Sequence, residues 1–375
     1  MDIYLDCNAS TPVDPAVAAA MRPYLEAAYG NPSSNHWASI PAMTAVEQAR
    51  AQVADLLGCE LDEVVFTSGG SEADNFAIKG TWFAKRNRGD HIITTQIEHP
   101  AILNSCGFLE TLGARVTYLP VDSDGRVDPE AVRGAITPRT ILISVMHANS
   151  ETGAIQPVEA ISTIARAHGV TFHTDAAQSA GKIRTDVREL GVDLLTLVGH
   201  KVYAPKGIGA LYVRRGVELE PLIHGGGHES GRRAGTESAL LTVGLGAACA
   251  LAADLSPMRR VEALRDRLWQ ALKGALGDAI VLNGPEHARL PNTLSVSFVA
   301  RRGTEVIERL KGLAASTGMA CHHGRPELSP VLKAMGVPEQ VGLGAVRFSL
   351  GRHTTEAEVN AVIGQLAKLA AVPAA

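Results

Sequence analysis

Through the first two thirds of the chain, short β-branched runs alternate with helical stretches. The segments "EVVFT" (63–67), "HIITT" (91–95), "RVTYL" (115–119), "TILISVM" (140–146), "VTFHTD" (170–175), "DLLTLV" (193–198) and "GALYV" (209–213) read as strands. Helical stretches at Ala101–Thr111, Pro129–Ala135 and Pro157–His168 lie between several of them. Apolar strands separated by helices predict an α/β domain, with a mostly parallel sheet covered on both faces. Ligands of such a sheet gather at the carboxyl ends of its strands. The uncharged run Ala239–Ala253, "ALLTVGLGAACALAA", is too short and too rich in Ala and Gly to span a bilayer, so it reads as a buried helix. After about residue 255 the pattern changes. A long helical segment, Arg259–Leu276, leads to a strand in "LPNTLSVSFV" and then to helix, loop, strand and helix, which reads as a smaller α+β domain.

Bulk properties change this picture little. A chain of 375 residues suits two domains, and 46% hydrophobic with 20% charged residues is a globular composition. The net charge is −4 and the arginine pairs are scattered, which argues against a nucleic-acid partner. The opening "MDIYLDCNAS" has no basic segment followed by an apolar one, so no signal peptide is expected. Five widely spaced cysteines (Cys7, Cys59, Cys106, Cys249 and Cys321) with no CxxC fit a reducing cytoplasm.

The chemistry falls at strand ends. In "TSGGSEADN" (67–75), glycines before a helix permit close backbone approach to an anion, although a tight turn without a ligand has the same composition. His99 in "EHP" can stack on a ring, move protons or merely begin a helix. Asp175 in "HTDAAQ" can hold a protonated ring nitrogen or a metal, or cap the next helix. Lys201 in "VGHKVYAPKGIGALY" is either a solvated charge or an amine poised for Schiff-base chemistry. Taken in order, anion loop, histidine, aspartate and lysine are the parts that pyridoxal phosphate requires. Cys321, in "ASTGMACHHGRP", is a reactive thiol, a metal ligand beside His322 and His323, or an inert buried cysteine. The adjacent sequence supplies no further metal ligands, so no metal is expected.

The motifs "YLDCNASTPVDP", "GNPSSNH", "FTSGGSEADN", "EHPAIL", "HTDAAQSAGK", "GHKVYAPKGIGALY", "GGGHESGRRAGTES", "LPNT" and "VRFSLGRHTT" together cover nearly the whole chain. As a set they resemble the cysteine desulfurases of the class V aminotransferase group, and also selenocysteine lyases. The resemblance implies a pyridoxal phosphate fold of type I, aspartate aminotransferase-like. A large cofactor-binding domain would span 14–255, its mixed, mostly parallel sheet lying between helices. A small domain would span 1–13 and 256–375 and carry the Cys321 loop.

It further implies Lys201 as the lysine that bonds the cofactor aldehyde, Asp175 on the ring nitrogen, Gln178 near the ring hydroxyl and His99 on the ring face. Gly70, Ser71 and His200 would hold the phosphate, with Thr236 of the partner subunit of a homodimer. Arg347 would bind the substrate carboxylate, with Asn149 nearby, and Cys321 would accept sulfur as a persulfide. Beside it, His322, His323 or Arg325 either lower the thiol pKa or, for the His pair, are solvated loop residues. L-cysteine would become L-alanine, and a sulfur-acceptor protein would follow.

Two positions depart from the desulfurase pattern. Val198 stands where a phosphate-binding serine is usual, and Ser150 where an asparagine usually touches the cofactor ring oxygen and the substrate carboxylate. The first departure, in "LTLVGHK", and the Cys321 loop, "ACHHGRPELSPVL", look like their counterparts in selenocysteine lyases. L-selenocysteine is therefore the alternative substrate, and a sulfur-relay scaffold with little turnover is a third reading.

Overall fold

The computed structural model describes residues 2–317 and 327–370. Cys321, His322, His323 and Arg325 lie outside the described residues.

Among the described residues twelve strands form three sheets. The strands are β1 (Ile3–Tyr4), β2 (Val64–Thr67), β3 (His91–Thr95), β4 (Arg115–Leu119), β5 (Thr140–Ser144), β6 (Thr171–Asp175), β7 (Leu194–Val198), β8 (Gly209–Val213), β9 (Ile280–Leu282), β10 (Thr293–Phe298), β11 (Leu313–Ala314) and β12 (Ala345–Ser349). The large sheet has the order β2-β8-β7-β6-β5-β3-β4. Its neighbours pair in parallel except at β8, which is antiparallel to both β2 and β7.

Every residue of β2, β3, β5, β6, β7 and β8 is buried, as expected of strands covered on two faces. Alternate side chains enter different cores. Ile93, Ile143, Leu195 and Leu197 join one layer, whereas Ile92 and Leu142 pack on the other side with Ile102, Cys106 and Leu109. Each such buried side chain contributes roughly 1.5–3 kcal/mol of apolar burial.

Several element limits differ from the sequence reading by a residue or more. Glu63 belongs to a 3₁₀ turn rather than a strand, and its side chain accepts a bond from Glu60 N–H. "TILISVM" leaves the ladder after Ser144. Val145 N–H still donates to His173 O at 3.1 Å, and His147 N–H to Asp175 O at 2.8 Å, as the buried chain continues to Asn149. The long helix begins at Ser256, three residues before the expected start, with the Asp254 carboxylate accepting from Ser256 N–H.

The expected buried helix runs from Ala239 to Ala252. Its small residues let it lie close against the helix Ile40–Leu57: a Cβ added at Gly246 would come within 2.6 Å of Ala49 Cα. Among the described residues no single helix is long and apolar enough to cross a membrane.

A second core surrounds the three-stranded antiparallel sheet β12-β10-β9. The helices Ser256–Leu276 and Glu356–Ala370 pack together against it. Ile3 and Leu5 join this core, and β1 pairs in parallel with β11. The N-terminal segment then passes on to residues 8–11, which meet the ends of the large sheet.

Candidate active site

The segments that follow β2, β3, β5, β6 and β7 emerge on one edge of the large sheet, because these five strands all run the same way. They carry Gly70 and Ser71, His99, Asn149 and Ser150, Asp175 and Gln178, and His200 and Lys201.

β7 ends in a single 3₁₀ turn, Gly199–Lys201. Gly199 permits it, since a Cβ there would sit 2.8 Å from Ile208 O. Beyond the turn Tyr203 adopts φ +72°, held by Thr11 Oγ1, which accepts from Tyr203 N–H at 2.9 Å. The half-buried Lys201 thus directs its Nζ at the carbonyls of Asn8 (2.5 Å) and Ala9 (2.8 Å). Its pKa is lowered to about 8, first by burial and then by Arg347, with Asp175 and Asp6 opposing.

Asp175 ends β6, and its Oδ1 accepts from Ala177 N–H at 2.8 Å. Burial raises its pKa, against the Ala177 amide and the nearby His99 and Lys201. A cation docked on this carboxylate would favour its charged form. His99 caps the helix Pro100–Glu110 through Nδ1, which accepts from Ala101 N–H at 3.1 Å. Desolvation lowers its pKa, Asp175 acts in the opposite direction, and Lys201 adds to the fall.

Gly69 adopts φ +146°, open only to glycine, and the helix begins at Gly70. Helix-start amides of this kind suit an anion. Val198 fills the space beneath: a Cβ on Gly70 would lie 2.4 Å from Val198 Cγ2. His200 Nδ1 is 3.3 Å from Ser10 Oγ, and its pKa is lowered to about 4 by burial, with Lys201 and Lys206 adding to the fall. At neutral pH His200 is therefore an uncharged hydrogen-bonding group. Ser71 is exposed at the mouth of this turn.

Gln178 is buried between two partners. Its Nε2 donates to Asn8 O at 3.0 Å, and its Oε1 accepts from Lys182 Nζ at 3.2 Å. Arg347, on β12, donates from Nη2 to Asp6 Oδ1 at 2.8 Å and from Nη1 to Ser150 O at 3.0 Å. These bonds use two of its five N–H groups, and its buried Nε has no partner among the described residues. Asn149 serves its own loop: Oδ1 accepts from the N–H groups of Glu151 and Thr152, and Nδ2 donates to Ile97 O. Thr236 is exposed and hydrogen-bonds to none of these residues. The segment that carries it is tied to the sheet edge by Arg233, which pairs with Glu72 at 2.9 Å.

Both flanks of the Cys321 segment stand beside this cluster. The backbones of Ser316 and Arg347 pair, and Ser329 Oγ donates to Glu151 Oε2 at 2.5 Å.

Sequence reasoning did not single out Asp6, Asn8, Lys182, Asp74 or Glu98. All five lie within or beside the quoted motifs, but residue type alone did not distinguish them. Lys182 is buried, and its pKa is lowered to about 7, by burial first and Lys201 next. Beneath Asp175, burial raises the pKa of Asp74, whose Oδ1 has no hydrogen-bond partner among the described residues and lies 3.9 Å from His173 Nε2. Glu98 is pushed up to about 8 by burial, although Thr95 Oγ1 and Met146 N–H both donate to it. A separate cleft of 840 Å³ lies away from Lys201, between Met43, Arg50, His228 and Glu229.

The donor set fits pyridoxal phosphate: a desolvated amine, a buried acid in need of a cation, a glycine-built helix start and a neutral histidine. Comparison with known proteins agrees in kind. The family pattern described as Aminotransferase class-V matches residues 3–362. Cysteine desulfurase 2 of Trichormus variabilis is 49% identical over 364 residues, covering 96% of this chain and 91% of the relative. A solved structure of a NifS-like protein superposes with a TM-score of 0.92 at 37% identity, covering 98% of this chain and 99% of that one. A second, SspA in complex with cysteine, gives 0.85 at 39% identity, covering 94% and 100%.

Proposed function

The chain belongs to the class-V aminotransferase family, and from that premise we propose that it is a pyridoxal phosphate-dependent cysteine desulfurase. L-cysteine is converted to L-alanine, and its sulfur passes to Cys321 as a persulfide. The observation that carries this reading is the Lys201 amine, held within one buried cluster with Asp175 and Arg347.

When bound, pyridoxal phosphate supplies an aldehyde that combines reversibly with amines and a ring that draws electrons from the substrate Cα. In this chain Lys201 would hold the aldehyde, Asp175 the ring nitrogen, Gln178 the ring hydroxyl and His99 the ring face. Gly70, Ser71 and His200 would take the phosphate, with Thr236 of the partner subunit completing that set. Ser150, one atom shorter in reach than an asparagine, would face the ring oxygen.

Arg347, oriented by Asp6 and the Ser150 carbonyl, binds the substrate carboxylate with its remaining N–H groups, with Asn149 shaping the loop opposite. The Lys201 amine, near neutrality in this desolvated setting, takes and returns a proton at the substrate Cα. The Cys321 thiolate then attacks the substrate sulfur. The S–S bond forms as the Cβ–S bond breaks, the electron pair stays with carbon, and a proton completes alanine. The flanks of the Cys321 segment, beside Arg347 and Glu151, support its access to this cluster.

We place the enzyme in the cytoplasm, where thiols stay reduced, as a homodimer that hands sulfur to an acceptor protein. The strongly exposed Leu25, Tyr29, Trp37 and Ile40 support a second copy as neighbour. The named relatives favour cysteine over selenocysteine as substrate. Turnover of L-cysteine and L-selenocysteine by wild type and Cys321→Ala tests the reading. Alanine formed from cysteine by wild type alone is expected, and activity confined to selenocysteine would overturn it.

A further inference from the structure

We propose that Asn8 is a positioning residue: its side chain locks the peptide whose carbonyl receives the free Lys201 amine, and so sets how readily that amine is protonated. The inference rests on the role assigned above to Lys201.

Asn8 is buried, and each of its polar atoms is engaged. Its backbone carbonyl accepts from Lys201 Nζ at 2.5 Å and from Gln178 Nε2 at 3.0 Å. Its Nδ2 donates to Ser150 O at 3.1 Å and to Thr293 Oγ1 at 2.9 Å. Asn292 Nδ2 donates to Asn8 Oδ1 at 2.9 Å, and Asn8 N–H donates to Ser349 Oγ at 3.0 Å. Ser150 O also receives Arg347 Nη1, so this one residue links the amine and the Gln178 amide, through its carbonyl, to the guanidinium, through its side chain.

Carbonyl acceptors favour the ammonium form of a lysine, because a hydrogen bond from a charged donor is the stronger one. They do so only while the peptide plane is held: here Ala9 N–H, on the same plane, donates to Asp6 O at 3.0 Å, and the Asn8 side-chain amide fixes the residue that carries the carbonyl. Among the described residues the charged or titratable groups acting on Lys201 are Asp6 and Asp175, which favour the ammonium, and Arg347, Lys182 and Lys206, which oppose it. His99 and His200 stand nearby, both with lowered pKa. A change at Asn8 alters none of these charges.

The test is the titration of Lys201 in the cofactor-free full chain. It is read by competitive acetylation between about pH 6 and about pH 10 with mass spectrometry of the labelled peptide. In Asn8→Ala the Lys201 pKa should fall by about half a pH unit or more, roughly a threefold gain in unprotonated amine. Thr293→Val removes one partner of the clamp with little change in volume and should shift the value the same way by less.

General loosening of the site would instead hydrate Lys201 and raise its pKa toward the ordinary lysine range. Such a rise, or wild-type titration in both variants, overturns the proposal. Borohydride reduction of wild type with pyridoxal phosphate separates the two readings. Failure to modify Lys201 removes the cofactor role, whereas the titration still decides the role of Asn8.

Discussion

Arg347 donates to the Asp6 carboxylate at 2.8 Å, across a contact between β12 and the segment that follows β1. The pair holds the guanidinium in one orientation, with its Nη1 on Ser150 O and its buried Nε without a partner among the described residues. Arg347→Lys keeps the charge and loses the planar fork. The KM for L-cysteine should rise about tenfold or more, with a smaller change in kcat. Steady-state kinetics checks this, and an unchanged KM would take Arg347 out of substrate binding.

Val198 packs against Gly70 where a hydroxyl would face the helix start. Val198→Ser should tighten pyridoxal phosphate binding about tenfold, through one hydrogen bond to a charged phosphate. The Tm of the cofactor-free protein should fall at the same time, because a buried apolar side chain is lost. Titration by absorbance measures the first effect and calorimetry the second. Equal cofactor affinity in the two proteins would place the phosphate elsewhere.

Uptake of pyridoxal phosphate by the cofactor-free chain should depend on pH through Lys201, since only the unprotonated amine attacks an aldehyde. The lowered pKa of about 8 predicts a rate that climbs from neutrality and levels above that value. Stopped-flow absorbance across this range measures it. A rate still rising near pH 10 would mean that the amine is solvated.

Glu98 offers a stability readout. Its folded pKa, about 8, lies above the ordinary value of 4.5, so between these values the folded chain holds a proton that the unfolded chain has released. Stability from this group is full below about 4.5 and declines as pH rises through about 8. Glu98→Gln cannot titrate, so its Tm should fall less between about pH 5 and about pH 8 than that of wild type. Parallel Tm curves for the two proteins would show that Glu98 stays ionised throughout.

Hydrophobic patterning located the seven strands of the large sheet and the helices between several of them, because a sheet buried on both faces must be built from short apolar runs. The reversed direction of β8 was not legible, since the direction of a strand is set by its distant neighbours rather than by its own residues. Motifs at strand ends marked the 67–75 loop, His99, Asp175 and Lys201, where chemistry depends on residue type next to a turn, and the family resemblance added Gly70 and Gln178.

What only the tertiary structure decided is who touches them. Asp6 and Asn8 reach Arg347, Gln178 and Lys201 across more than a hundred residues of chain. Lys182, which the pattern leaves unremarked, becomes a buried base beside Gln178. Periodicity reports the face of an element and says nothing of its remote neighbours. Protonation follows from desolvation and from those neighbours, so the states of Lys201, Asp175 and Glu98 exist only once the chain has closed around them.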